Sequence, residues 1–185
     1  MSTLSRGALA AILAAALLAP AAALAHVTLE VPQAAVGSTY KAVLRIPHGC
    51  AGAATQVMRV RVPEGLIAVK PMPKAGWKLE TVSGDYKETH DYFGTPTGKG
   101  VTEIVWSGGN LPDAWYDEFV FRGYLSKSLK ADTTLYVPVV QECEVGKAER
   151  WIEIPTAGRP ANELRFPAPT LQLRAPGGHG ASGHH

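Results

Sequence analysis

The chain has 185 residues, with 18 Lys and Arg against 16 Asp and Glu, a formal net charge of +2, and 46% hydrophobic residues. These charges are interspersed and form no basic stripe along the sequence, which excludes nucleic acid as an expected partner, because phosphate neutralisation needs such a stripe. Neither a Gly-x-Ser-x-Gly elbow nor a phosphate-cradling glycine loop opening a helix occurs, so the hydrolase and nucleotide-binding classes have no support.

In chain order, the first expected element is a secretory signal over residues 1–25. Arg6 provides the positive start, an apolar run follows from Ala8 to Leu18, and Ala23 and Ala25 supply the small side chains a signal peptidase accepts before its cut. The apolar run is too short for a permanent spanning helix, so the mature chain starts at His26 with no membrane anchor after cleavage. The expected location is the periplasm or the cell exterior. About 160 residues then remain, enough for one domain and one core.

Beyond His26 come short segments rich in Val, Ile, Thr and aromatics, divided by Pro, Gly, Asp and Asn. Strands are expected at Val27–Val31, Tyr40–Ile46, Gln56–Val62, Ile67–Lys70, Trp77–Val82, Val101–Trp106, Glu118–Leu125, Thr133–Val140 and Arg150–Ile154. Alternation in Glu118-Phe119-Val120-Phe121-Arg122 puts both phenylalanines on one face. No window after the signal holds an apolar period near 3.6, so the expected class is all-β, an antiparallel sandwich of the immunoglobulin or fibronectin kind. A barrel is the alternative.

The two cysteines, Cys50 and Cys143, form an even pair without CxxC spacing, which in an oxidising compartment predicts one structural disulfide. From Pro155 the strand pattern dissolves into Pro-rich and Gly-rich sequence ending in His179, His184 and His185. The expected boundaries are therefore a signal over 1–25, a sandwich domain over 26–165 and a flexible tail over 166–185.

Cleavage before a histidine places a free α-amine beside an imidazole. The amine and Nδ1 of His26 can chelate one ion in an equatorial plane, an arrangement that suits Cu(II), first in the divalent affinity order. Soft Cu(I) sites need several methionines, and the mature chain has only Met58 and Met72. His90, in Lys87-Glu88-Thr89-His90-Asp91, has no ligand partner at useful spacing and is expected in a solvated loop. Trp77, Trp106 and Trp115 are assigned to core or turn packing.

Several segments together resemble the YcnI-like copper-binding domain family of bacterial exported proteins. They are His26-Val27-Thr28-Leu29, Arg45-Ile46-Pro47-His48-Gly49-Cys50, Lys70-Pro71-Met72-Pro73-Lys74-Ala75-Gly76-Trp77 and Val105-Trp106-Ser107-Gly108-Gly109-Asn110-Leu111-Pro112. Asp117-Glu118-Phe119-Val120-Phe121, Val139-Val140-Gln141-Glu142-Cys143 and Arg150-Trp151-Ile152-Glu153-Ile154-Pro155 complete the set. The resemblance implies a β-sandwich that binds Cu(II) through the N-terminal histidine, with a carboxylate and a late-strand tryptophan nearby. His26 and Trp151 match directly. Where relatives have a glutamate after the second strand, this chain has Pro47-His48-Gly49-Cys50, so His48 stands in for it or the oxygen comes from Glu142, Glu30 or Glu144.

The function expected on these grounds is non-catalytic: sequestration of Cu(II), or its delivery to periplasmic copper chaperones or copper-enzyme assembly proteins. A histidine-brace copper monooxygenase, with His48 as second histidine, is one alternative. A metal-free structural or adhesion module is the other, since fold alone does not decide function.

Overall fold

A computed structural model of the protein describes residues 26–176. The signal-peptide assignment and the three C-terminal histidines lie outside the described residues. The fold is all-β, with strands β1 (Thr28–Leu29), β2 (Gln33–Ala35), β3 (Thr39–Ile46), β4 (Thr55–Arg61), β5 (Leu66–Pro71) and β6 (Lys78–Tyr92). After these come β7 (Thr95–Leu111), β8 (Asp117–Leu125), β9 (Thr134–Tyr136), β10 (Val139–Cys143), β11 (Ala148–Trp151) and β12 (Thr170–Arg174). One sheet runs β1-β3-β8-β5, a second β11-β10-β4-β7-β6, and a small third one β2-β12-β9.

Alternation along the strands builds the interior. Ala42, Leu44 and Ile46 of β3 and Phe119 and Phe121 of β8 point inward, where they meet Met58 and Val60 of β4, Ile104 and Trp106 of β7, and Val139 of β10. Phe119 is packed edge-on between the rings of Trp77 and Trp106. The expected facing of Phe119 and Phe121 is therefore what the core uses.

The longest hairpin exceeds its sequence expectation. Residues 83–100 are polar and lie between the strands expected at Trp77–Val82 and Val101–Trp106, yet they continue the ladder from Val82 and Val101 out to a tight turn at Phe93 and Gly94. Both turn residues have positive φ, 49° and 85°, the geometry a two-residue hairpin connection requires. A ribbon with most of its residues exposed needs ladder hydrogen bonds but no apolar alternation, so the pattern hides it. His90 corrects a second expectation. It is only 3% exposed, with Nε2 2.8 Å from Glu64 Oε1 and Nδ1 3.1 Å from Ser128 Oγ. Together with Tyr92 and Phe93 packed on Tyr124, it fastens the ribbon to the body.

Two more departures follow from proline. The single strand expected over Thr133–Val140 divides at Pro138, which lacks a ladder donor; β9 joins the third sheet and β10 the second. The boundary expected at 165 is too early: β12 pairs parallel with β2 and antiparallel with β9, and it buries Leu171 and Leu173. Five residues bounded by proline-rich sequence are too few to reveal a strand by periodicity.

Tyr40 ties the start of the chain to β3 by donating its hydroxyl to Val31 O at 2.6 Å. Burial, with the nearby Glu30 charge, pushes this phenol up to about 12, so it stays a donor at any physiological pH. Cys50 and Cys143 are joined as expected, linking the β3–β4 connection to the end of β10 across 93 residues of sequence. Closing a loop of that length constrains the unfolded chain, and the Cys50→Ala/Cys143→Ala double variant is expected to lose about 4 to 5 kcal/mol in denaturant unfolding. A loss below about 1 kcal/mol would show that the bridge adds little to the contacts around it.

Candidate metal centre

His26 enters the fold through its neighbours. Val27 and Leu29 are buried in the core, and β1 is antiparallel to β3 with Thr28 opposite Arg45. Continuing that register backward sets His26 across from Pro47, next to His48. The His26 ring packs edge-to-face on Trp151, with ring centroids 5.6 Å apart. Beside it lies a cleft of about 330 Å³ whose walls include Pro32, Pro167 and Pro169. The Nε2 atom of His26 is buried and has no hydrogen-bond partner.

Trp151 ends β11, is 3% exposed, and has Phe166 edge-on 5.2 Å from it on another side. Its indole N–H donates to Gln141 Oε1 at 3.2 Å. Gln141 is wholly buried, and its amide donates to His48 O and to Thr55 Oγ1, both at 2.7 Å. One side chain thus fixes the indole that backs His26 and the backbone of the turn that carries His48. Within that turn the His48 ring bonds Gly49 O through Nδ1, which makes Nε2 the basic nitrogen. Gly49 is required there, since a Cβ would lie 2.0 Å from Ala53 O.

A carboxylate near His48 that the sequence reasoning missed is Glu149. It stands opposite Gln141 in the β10–β11 ladder, two residues before Trp151 and so on the same face. Its Oε2 is buried and unpartnered. Burial pushes the Glu149 carboxyl above the ordinary carboxylate range and the Asp113 charge adds to this, while His48 and Arg165 pull it back. The signal was available in principle: starting the last strand at Ala148 instead of Arg150 puts Glu149 and Trp151 in phase.

The three acidic residues first considered are elsewhere. Glu142 faces away from Gln141 and Cys143, on the outer side of β10, where Arg59 Nε donates to it at 2.6 Å. Glu30 pairs with Arg45 at 3.2 Å, and Glu144 Oε2 accepts from the Ala54 backbone N–H. Alternation explains Glu142: the disulfide draws Cys143 inward, and its neighbour must then point out. Trp106 is core and Trp77 packs on Phe119, but Trp115 is 65% exposed, against the packing role expected for it. Among the described residues no three His, Cys, Asp or Glu side chains are grouped as a metal site. The structure shows two pairs near this edge: His26 against Trp151, and Glu149, two residues before Trp151 in β11, within electrostatic reach of His48.

The family described as a domain of unknown function, DUF1775, matches residues 26–173. Among solved structures, the chain is similar to an uncharacterized protein from Nocardia farcinica with an immunoglobulin-like fold, at 25% identity and a TM-score of 0.60, covering 81% of this chain and 99% of that one. A cohesin module from a Clostridium perfringens family 33 glycoside hydrolase follows at 11% identity and a TM-score of 0.45, covering 82% of this chain and 97% of that one. No curated protein matches the chain. The immunoglobulin-like neighbour agrees with the sandwich read from the strands.

Glu149 carries a stability signature. A carboxyl raised in the folded state favours folding when protonated, so this contribution is complete below its unfolded pKa and is lost as pH rises through the folded one. Glu149→Gln is therefore expected to raise the melting temperature of metal-free protein at pH 7, with the advantage vanishing below pH about 4. A variant less stable than the parent at neutral pH would mean that Glu149 is satisfied by a partner and not poised for one.

Proposed function

We propose that this chain, which belongs to the DUF1775 family, is an exported Cu(II)-binding protein whose site forms when His26 becomes the N-terminus. The observation that carries this reading is the buried, unbonded Oε2 of the half-buried Glu149, on the strand whose Trp151 packs against His26. A carboxylate oxygen buried without a hydrogen bond costs free energy that a cation would offset. Two of the donors come from one residue, the α-amine and Nδ1 of His26, so a cluster of three ligating side chains is not needed. Both are nitrogen donors in the tetragonal pattern that Cu(II) favours.

Each residue then has a task. The His26 amine must lose a proton to bind, so affinity declines as pH falls through about 8 and below. Glu149 supplies anionic oxygen, and the His48 imidazole, whose charge acts on that carboxyl, tunes it. The Trp151 indole covers one side of the His26 ring and keeps water from it. Nothing here requires the domain to open, so cargo can leave by ligand exchange to another periplasmic copper chaperone or assembly protein. The role is sequestration or delivery, without catalysis. Support for export comes from the disulfide and from the signal-like residues 1–25.

A chelator-competition titration followed by electron paramagnetic resonance tests this on protein starting at His26 and on protein with one alanine before it. The native start is expected to bind one Cu(II) with nitrogen hyperfine structure, at least 10-fold tighter than the extended form, and to quench Trp151 fluorescence. At 100 times its dissociation constant, the metal should add about 2.7 kcal/mol of stability. Glu149→Gln should weaken binding although it stabilises the metal-free fold. Equal binding by both starts would overturn the amine site, and no binding by either would return the domain to a metal-free module.

A further inference from the structure

The outer face of the first sheet carries two rows of side chains that have no role in the site above. Lys41 of β3 is paired with Arg122 of β8, and Arg122 is paired with Lys70 of β5, so three cations from separate parts of the sequence stand side by side on adjacent strands. All three are exposed, and among the described residues no carboxylate comes within ion-pair distance of any of them. Like charges placed directly opposite one another destabilise a sheet. The next row on the same face is apolar: the half-buried Val120 lies there, the Met72 N–H donates to its carbonyl, and Val43 opposite it is buried. Met72 is 52% exposed, and with Pro71 and Pro73 it walls a groove of about 330 Å³ along the cationic row.

We infer that this groove is a docking site for an extended peptide segment of a partner protein in which acidic residues alternate with apolar ones. In an extended segment successive side chains point to opposite flanks, which sends carboxylates to the Lys41–Arg122–Lys70 row and apolar groups to Val120 and Met72. Adjacent strands are about 4.8 Å apart, so the cations span about 10 Å, and the long Lys and Arg arms reach acidic groups repeating every ~7 Å along the segment. Membrane surfaces are gripped by larger clusters, about four to eight cations on one face, and a concave groove with an apolar wall suits side chains better than a bilayer. The occupant is therefore a peptide.

The test uses the mature protein with chelator present, so that it is independent of copper, and fluorescein-labelled Glu-Leu-Glu-Leu-Glu as probe, read by anisotropy. Saturable binding is expected, weakening as salt rises and absent for Gln-Leu-Gln-Leu-Gln. Charge reversal in Lys70→Glu/Arg122→Glu should weaken it at least 20-fold without shifting Cu(II) affinity, and Met72→Ser should weaken it severalfold. Because these side chains are exposed, melting temperature checks that each variant is folded. Failure to saturate by 1 mM peptide, equal binding by the reversed variant, or capture by phosphatidylserine vesicles in place of peptide would each overturn the inference.

Discussion

The buried amide of Gln141 is the constraint on which the functional edge depends. A glutamine with no solvent exposure must satisfy its oxygen and nitrogen internally, and this one does so with three partners from three separate segments: the Trp151 indole, the His48 carbonyl and the Thr55 hydroxyl. The Trp151 indole N–H, itself buried, would otherwise lack this bond, and leaving such a group unsatisfied costs about 1 to 3 kcal/mol. The amide therefore sets positions and not only stability. It fixes the indole against which His26 packs and the turn that presents His48, while the disulfide closes the same neighbourhood from the end of β10.

Legibility in the sequence divides along physical lines. Strands with one face in the core announced themselves, because burial on alternate residues leaves a period of two; β3, β4 and β8 are of this kind. The outer ribbon of β6 and β7 did not, since neither of its faces is consistently buried and only the backbone ladder and the Phe93-Gly94 turn define it. β2 and β12 are three and five residues long and sit among prolines, too short for periodicity to register. His90 looked solvated because its partners, Glu64 and Ser128, are 26 and 38 residues away in the chain.

The candidate site shows the same division at finer grain. His26 and Trp151 could be named from order in the chain, and the structure sets them ring against ring. The acidic partner could not, because choosing among glutamates depends on which face of a strand each occupies, and a two-residue error in where β11 begins hides the answer. Glu142 and Glu149 differ in this respect alone: one is turned out to Arg59, the other turned in beside His48 with an oxygen that nothing satisfies. The cationic row of Lys41, Arg122 and Lys70 was invisible for a related reason, since strand pairing and not sequence proximity creates it.

Rigid backing and an unsatisfied charge are complementary features of a cargo site. A ligand set held by Gln141, the disulfide and the strand ladders loses little conformational freedom on binding, so less of the interaction is spent on ordering. Yet a site that were satisfied without metal would have no reason to take one. In the proposed copper site the satisfied groups, Trp151 and the His48 turn, form the frame, and the unsatisfied ones, Glu149 and the amine released at His26, face the ion. In the proposed function the amine exists only once the peptide bond before His26 is cut, so the frame can be complete beforehand while full copper affinity awaits that cut. If residues 1–25 are a cleaved signal, as proposed, the tightest metal binding begins where that cut is made, and its timing is set by a single bond.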